Sequence, residues 1–277
     1  MAFKYPPGFS PQVALGFLGF CQQAYYEYYI YKGETQSNGQ PYVFTVPQGY
    51  DMTYEIWGLD EIWHIDEGIV PFGFVAQRQG TGDLVITVRG TEGDIEWAED
   101  LLEGEQAADP VPNSQGLVHE GFGDIYKTLI YVPGNTYSMS PPPPNSAQPL
   151  GQVLANASSV AITGHSLGSS LADLVALDVA LNEKKRVSSL YTLASPRTGD
   201  PTFATSFDTL LQPVSYRIAN YWDIVPQLPP EDFYTGIDQE WHYQHVNSEC
   251  LVDGGFTVDL AYSHSLAAYQ AGLQKLL

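Results

Sequence analysis

Apolar residues recur at helical spacing near the start of the chain. Five of them lie three or four positions apart: Val13, Phe17, Cys21, Ala24 and Tyr28. Ser10 and Pro11 precede this run, and serine is a good N-cap while proline suits the first helical position. The pattern predicts a helix that opens the domain.

Short apolar runs then alternate with helical patterns. The runs predict strands at residues 72–78, 84–88, 160–163, 189–193 and 214–219. The helical patterns lie at residues 120–132, 167–182, 203–211 and 266–276. The run at 84–88 is almost continuously apolar, as expected of a strand covered on both faces. This alternation predicts an α/β fold, with a mostly parallel central sheet and helices on both faces.

A proline-rich segment at residues 133–149 interrupts this pattern and contains four consecutive prolines, 141–144. Such a segment is extended and carries no core of its own. The strand at 160–163 continues the pattern that begins before it, so the segment is predicted to be an insertion. With 277 residues, the chain is predicted to form a single domain over 1–277.

The charge of the chain restricts its partners. Lys and Arg total 11 and Asp and Glu total 32, which gives a net charge of −21. A chain this acidic lacks the basic surface that binds nucleic acid, and an anionic membrane surface would repel it. The expected substrate is therefore neutral, or is presented by a neutral surface.

Two cysteines, Cys21 and Cys250, are too few for a disulfide-stapled scaffold or a multi-cysteine zinc module. One bridge and two buried thiols both remain compatible with the sequence. No apolar run reaches 18 residues, so no transmembrane segment is predicted. The first residues lack the basic and apolar regions of a signal peptide, which indicates an intracellular protein or one whose leader has been removed.

The pentapeptide Gly164-His165-Ser166-Leu167-Gly168 matches the pattern G-x-S-x-G. It lies directly between a predicted strand and a predicted helix, which is the context that a nucleophilic serine of this type requires. The sharp turn lifts the hydroxyl above the sheet and places it at a helix N-terminus, where free N–H groups favour negative charge. Ser166 is the predicted nucleophile.

A serine nucleophile needs a base, and in this arrangement the carboxylate and then the histidine follow it along the chain. Of the three histidines after Ser166, His264 lies just before the last helix, whereas His242 and His245 lie in an extended segment on opposite faces. The last two are interpreted as surface or structural residues that share no metal site.

The predicted carboxylate is Asp223, which follows the strand at 214–219 at the sheet edge where α/β proteins place their sites. Asp200 lies in a turn pattern that favours a helix cap, and Asp208 lies within a predicted helix.

Several short motifs occur in one order between about residues 70 and 270. They are Arg89-Gly90-Thr91, Trp97 with Asp100-Leu101, His119-Glu120-Gly121-Phe122, the Ser166 pentapeptide, Ser195 to Asp200, Asp223 to Pro226, and His264-Ser265-Leu266. Together they resemble the class 3 lipases, the fungal-type triacylglycerol lipases and their feruloyl-esterase relatives. The resemblance implies an α/β-hydrolase fold.

The resemblance also implies roles for single residues. It assigns Ser166 as the nucleophile, Asp223 as the orienting acid and His264 as the general base. These roles agree with the assignment from the order and placement of the residues. Thr91 and Leu167 become the oxyanion-hole residues through their N–H groups. The stretch at about 92–108, which is rich in Asp and Glu, becomes the candidate lid. The family favours a secreted protein, and its chemistry uses no cofactor and no metal.

The predicted function is a serine ester hydrolase that forms an acyl-enzyme, and specifically a triacylglycerol lipase. Its expected partner is a neutral ester or lipid, which it contacts transiently at a lipid–water interface. One alternative is a carboxylesterase or feruloyl esterase, with the same chemistry on short-chain or aromatic esters. Another is a catalytically inactive binding protein on the same fold, since a fold alone does not fix a function.

Overall fold

The central element of the fold is a sheet of eight strands. It is seen in a computed structural model that describes residues 3–59, 68–91, 106–108, 110–143, 145–235 and 239–277. Most of the candidate lid at 92–108 lies outside the described residues, as does Pro144 of the proline-rich segment.

The strands are β1 Tyr50–Leu59, β2 Ile69–Arg78, β3 Asp83–Val88, β4 Gln106–Ala108, β5 Leu117–His119, β6 Ile130–Pro133, β7 Ser159–His165, β8 Val187–Leu193, β9 Ser215–Asn220, β10 Asp232–Thr235, β11 Gln239–His242 and β12 Ser248–Val252. The α-helices of the described residues are α1 Pro11–Lys32, α2 Glu120–Thr128, α3 Leu150–Val153, α4 Leu167–Leu181, α5 Pro201–Leu211, α6 Leu260–His264 and α7 Leu266–Gln274.

The sheet has the strand order β12-β9-β8-β7-β3-β2-β1-β6. The five strands from β12 to β3 run parallel, and β2, β1 and β6 add an antiparallel extension. The predicted α/β class and mostly parallel sheet are thereby confirmed. The parallel strands bring their carboxyl ends to one edge, where the site is built.

Helices cover both faces of the sheet. On one face α2, α4 and α5 bury an apolar cluster that includes Phe122, Leu171 and Phe203. On the other face α1 and α7 bury a second cluster around Phe74 and Tyr269. Because both faces are covered, β3 and β7 are apolar along most of their length.

The start of α1 agrees with the sequence pattern. The Ser10 hydroxyl accepts a hydrogen bond from Val13 N–H, and Pro11 opens the helix. Val13 itself is 44% exposed, so it lies outside the buried stripe, whereas Ala14, Phe17 and Leu18 lie within it. The predicted assignment of Val13 to the apolar face is wrong by one position.

The helix predicted at 120–132 is also too long. It ends at Thr128, and residues 130–133 form β6, which pairs with β1. The strand supplies hydrogen bonds to the free edge of β1, and such a long-range pairing overrides local helical preference. The cysteines are both free and buried, Cys21 in α1 and Cys250 in β12.

No helix within the described residues combines the length and apolar character needed to cross a membrane.

Candidate active site

Ser166 lies in a sharp turn between β7 and α4. Its backbone has φ 60° and ψ −132°, in the left-handed half of conformational space that a residue other than glycine rarely adopts. The turn is held from both sides, since Ser166 N–H donates to Leu193 O at 2.9 Å and Ser166 O accepts from Ser169 N–H at 2.8 Å. Strain of this kind costs about 1–3 kcal/mol and persists only where surrounding structure fixes it.

The two glycines of the pentapeptide permit this turn. A Cβ on Gly164 would lie 2.1 Å from Gly168 O, and a Cβ on Gly168 would lie 2.3 Å from Arg89 O. Both contacts are far too short for any side chain. The glycines therefore let β7, α4 and the end of β3 meet closely enough to set the serine at the sheet edge.

Ser169 directly follows the pentapeptide and lies in the first turn of α4. Its hydroxyl is buried within hydrogen-bond distance of Gly164 O at 2.9 Å and Leu193 O at 2.8 Å. The small polar side chain thus fits the tight contact and ties α4 to β7 and β8.

The structure brings the three predicted triad residues together. His264 Nε2 lies 2.9 Å from Ser166 Oγ, and His264 Nδ1 lies 2.9 Å from Asp223 Oδ2. Asp223 follows β9 and His264 ends α6, so three separate segments converge on one imidazole. The side chain of Asp223 is fully buried and that of His264 is 12% exposed, which leaves the imidazole accessible at the cavity described below.

Sequence reasoning missed a fourth residue of this group. The Tyr269 hydroxyl donates to Asp223 Oδ2 at 2.7 Å, while Asp223 Oδ1 accepts Val225 N–H at 3.0 Å. Burial and the adjacent carboxylate raise the pKa of Tyr269 well above its ordinary value, so the phenol keeps its proton. The only available signal was its place one turn into the helix that follows His264.

The rival carboxylates have structural roles. Asp200 caps α5, since its Oδ1 accepts Phe203 N–H at 2.6 Å. Asp208 lies in α5 and accepts Asn247 N–H at 3.0 Å. Both agree with their interpretation from the sequence.

The two other histidines after Ser166 do not meet. His245 bonds Pro226 O through Nε2 at 2.7 Å, and His242 is exposed beside Asp232. Within the described residues, one group has the spacing of metal ligands, Asp232, Glu240 and His242, and all three are exposed. It does not include His245.

The predicted oxyanion residues lie at the two segment ends nearest the nucleophile. Leu167 is the first residue of α4, whose opening N–H groups have no acceptor within the helix. Thr91 follows the end of β3, and its buried Oγ1 has no hydrogen-bond partner among the described residues. Its neighbour Gly90 packs so closely that an added Cβ would lie 2.7 Å from Ser166 Cβ.

A cavity of about 330 Å³ opens beside this group. It is lined by residues of α1, by Thr91 and His165, and by the segment around His264: Gln22, Tyr25, Tyr26, Tyr29, Ala261, Ser265, Leu266 and Ala267. None of these lining residues is a lysine or an arginine. The arrangement can activate a hydroxyl, stabilise an oxyanion and hold an uncharged group next to both.

Comparison with known proteins gives the family of this chain. Residues 85–233 match the model of the class 3 lipases, described as Lipase (class 3). The match covers more than half of the chain, and the chain belongs to this family. The predicted family is confirmed, while its relation to feruloyl esterases stays a prediction.

The curated relatives include phospholipases A1 and a lipase. Phospholipase A1-II 3 of Oryza sativa subsp. japonica is 33% identical over 203 residues, which covers 65% of this chain and 44% of that protein. A lipase of Rhizomucor miehei is 32% identical over 166 residues, covering 57% of this chain and 41% of that protein. The chain spans about half the length of the curated relatives it matches.

Solved structures confirm the fold. The triacylglyceride lipase of Rhizomucor miehei superposes with a TM-score of 0.59 at 21% identity, over 96% of this chain and 95% of that one. The M37 lipase gives a TM-score of 0.62 at 16% identity, over 98% and 95% of the two chains. The fold is therefore the α/β-hydrolase fold.

Proposed function

We propose that the protein is a serine hydrolase of lipid esters that works through an acyl-enzyme. The observation that carries the proposal is the position of the His264 imidazole, 2.9 Å from Ser166 Oγ on one side and 2.9 Å from Asp223 Oδ2 on the other. A hydroxyl becomes a useful nucleophile only when a base removes its proton. An oriented base is what this geometry supplies.

In the first half-reaction, Ser166 Oγ attacks the ester carbonyl while His264 Nε2 takes the hydroxyl proton. Asp223 accepts Nδ1–H, which fixes the tautomer and stabilises the imidazolium that forms. His264 then gives the proton to the departing alcohol oxygen. In the second half-reaction water attacks the acyl-serine through the same base and releases the carboxylic acid.

The tetrahedral intermediate carries an oxyanion that needs hydrogen-bond donors. The N–H groups of Leu167 and Thr91 are assigned this role, because one opens α4 directly after the nucleophile and the other follows Gly90 against Ser166. The Thr91 hydroxyl, which has no hydrogen-bond partner among the described residues, is assigned as a third donor. Losing one such donor typically raises the barrier by about 3–4 kcal/mol.

An apolar rim supports a lipid substrate. We use this name for six exposed residues of segments 221–224 and 256–262, which carry or adjoin Asp223 and His264: Tyr221, Ile224, Phe256, Val258, Leu260 and Tyr262. Exposed apolar side chains clustered around a site indicate contact with an apolar surface. Burying them against lipid also brings the triad to the interface.

A neutral glyceride fits the charge of the site better than an anionic lipid. Among the described residues, no lysine or arginine lines the cavity beside His264, and the net charge of the whole chain is −21. A phosphate would find no cation there, whereas glycerol and ester oxygens need none. We therefore propose triacylglycerol as the substrate. The name of the rice relative makes phospholipid the second candidate to be tested.

The test compares initial rates of the wild type and Ser166→Ala on p-nitrophenyl esters from acetate to palmitate, emulsified triolein, phosphatidylcholine vesicles and methyl ferulate. The proposal predicts strong hydrolysis of long-chain esters and triolein that falls by about 10⁴-fold or more in the variant. Release of fatty acid from phosphatidylcholine in preference to triolein would replace triacylglycerol by phospholipid.

Activity confined to short or aromatic esters would make the protein a carboxylesterase or feruloyl esterase. Hydrolysis that survives in Ser166→Ala would overturn the mechanism. A folded wild type with no activity on any ester would favour the inactive binding protein.

A further inference from the structure

We propose that Tyr25 and His165 are positioning residues that join the oxyanion segment, Gly90-Thr91 after β3, to the catalytic base through one directed chain of hydrogen bonds. The proposal rests on the function proposed above and extends it to residues outside the triad. Tyr25 comes from α1, which lies before the segment matched by the family model. His165 comes from the end of β7, directly before Ser166.

The hydrogen-bond chain consists of three contacts. Gly90 N–H donates to the Tyr25 hydroxyl at 3.1 Å, the Tyr25 hydroxyl lies 2.8 Å from His165 Nδ1, and His165 Nε2 lies 2.9 Å from His264 O. Tyr25, His165 and Gly90 are all buried. Water is therefore a poor substitute partner for any of these groups.

Each proton in this chain has one consistent position. His264 O is a carbonyl and only accepts, so His165 Nε2 carries the hydrogen. A neutral imidazole then has a bare Nδ1, which accepts the Tyr25 hydroxyl proton. The Tyr25 oxygen keeps a lone pair for Gly90 N–H. Every donor meets an acceptor, and the direction runs from Gly90 to His264.

The surroundings keep His165 neutral. Burial lowers the pKa of His165 well below its ordinary value, and the neighbouring His264 lowers it further. Burial also raises the pKa of Tyr25, so the phenol stays protonated. When His264 becomes a cation during the reaction, the hydrogen-bond chain beside it contributes neutral polar groups and no second positive charge.

The hydrogen-bond chain ends at Gly90 and at His264, and these two residues must be aligned for catalysis. Gly90 precedes Thr91, whose N–H is assigned to the oxyanion, and Gly90 lies against Ser166. His264 carries the base, and its backbone oxygen is the final acceptor. The hydrogen-bond chain thus fixes the oxyanion donor and the base relative to the nucleophile, although the donor follows β3, the base ends α6 and the nucleophile follows β7. Misplacement of such groups by about 1 Å can cost 10²-fold in rate.

Removal of the Tyr25 hydroxyl tests the chain. Tyr25→Phe keeps the ring but leaves Gly90 N–H and His165 Nδ1 without partners. We expect kcat on a soluble p-nitrophenyl ester to fall about tenfold or more, with KM changed less than twofold.

Tyr191→Phe is the matched control, because Tyr191 is also a buried tyrosine that accepts a backbone N–H, that of Ser10, at the start of α1. It should lose less than twofold in kcat. Equal losses of kcat in the two variants, or none in Tyr25→Phe, would overturn the proposal.

A second measurement does not depend on activity. Nitrogen-15 NMR of labelled histidines reports which ring nitrogen carries the proton. The proposal requires the Nε2–H tautomer for His165, beside the Nδ1–H tautomer for His264 that donates to Asp223. Finding Nδ1–H on His165 would reverse the chain and overturn it. If the wild type showed no ester hydrolysis, the proposed function would be wrong. The tautomer of His165 would still show whether the hydrogen-bond chain runs in the proposed direction.

Coupling of the two residues gives a third check. In a double-mutant cycle, Tyr25→Phe should cost little in kcat once His165→Leu has already broken the chain. Fully additive losses of kcat would indicate two unrelated packing defects and would contradict a single chain.

Discussion

The Tyr269 hydroxyl and the His264 imidazole share one acceptor, Oδ2 of Asp223. Asp223 Oδ2 accepts the Tyr269 proton at 2.7 Å and the His264 Nδ1 proton at 2.9 Å, and its partner Oδ1 accepts Val225 N–H. The carboxylate is thereby buried with hydrogen-bond donors in place of a cation. These donors hold it under the imidazole and satisfy its buried oxygens.

Tyr269→Phe removes one of these donors without leaving space in the core. Asp223 is then held by two hydrogen bonds in place of three, and its orientation toward His264 becomes less defined. We expect kcat on a soluble ester to fall about tenfold with little change in KM. The measurement is steady-state kinetics beside a thermal melt. Unchanged kcat in a folded variant would show that the tyrosine only packs.

Asp223→Asn should cost much more. An amide does not stabilise the imidazolium, and it can present its NH₂ group to Nδ1, which selects the tautomer that is unable to accept the Ser166 proton. The equivalent change in other Ser-His-Asp enzymes lowers kcat about 10⁴-fold. Kinetics at pH 7–9 would check this, with circular dichroism as the control for folding. A loss of tenfold or less would contradict the assigned role of Asp223.

Gly90→Ala should disable catalysis while the protein still folds. The added Cβ would lie 2.7 Å from Ser166 Cβ, from His165 O and from the Tyr25 hydroxyl, so the oxyanion segment Gly90-Thr91 must shift. We expect kcat to fall at least 100-fold. Gly16→Ala in α1 is the matched control, because nothing lies within 4 Å of the new Cβ. It should keep full activity and gain up to about 1 kcal/mol of stability.

Polar substitution of the apolar rim should separate lipid-surface activity from chemistry. Phe256 and Val258 are 70% and 88% exposed, so their replacement leaves the core intact. Phe256→Ser with Val258→Ser should lower the rate on emulsified triolein about tenfold and leave the soluble ester unaffected. Met139→Ser is the control, since Met139 is 60% exposed in the proline-rich segment. Equal effects on both substrates would argue against docking through the rim.

His119 should make the protein less stable in acid. Its ring is buried against Phe122, neither ring nitrogen has a partner among the described residues, and burial lowers its pKa to about 4. The unfolded chain, with a pKa near 6.5, binds the proton more readily. The stability contributed by the neutral ring is therefore present above pH 6.5 and lost as the pH falls toward 4.

The size of this effect can be measured with His119→Leu. The linkage relation gives a loss of about 2 kcal/mol from this group between pH 8 and pH 5. Urea unfolding at the two pH values should show that excess loss in the wild type and not in the variant. Parallel losses in both proteins would assign the acid sensitivity to other groups.

The candidate site could be predicted from the sequence because it depends on local features. The glycines around Ser166 make a strand-to-helix turn possible, and the order Ser166, Asp223, His264 places one group after each of three segments that end at one sheet edge. The apolar runs of β3 and β7 and the cap of α1 are equally local. Each is determined by residues that neighbour one another along the chain.

The tertiary structure determined the contacts between segments that lie far apart in the sequence. Strand β1 and the edge strand β6 pair with each other although they lie far apart in the sequence, so local patterns missed the first and extended a helix over the second. Tyr25 and Tyr269 look like core residues in sequence, and only packing brings their hydroxyls to His165 and Asp223, 140 and 46 positions away. A side chain's apolar character shows that it is buried, but the partner of its hydroxyl is fixed only when the elements dock.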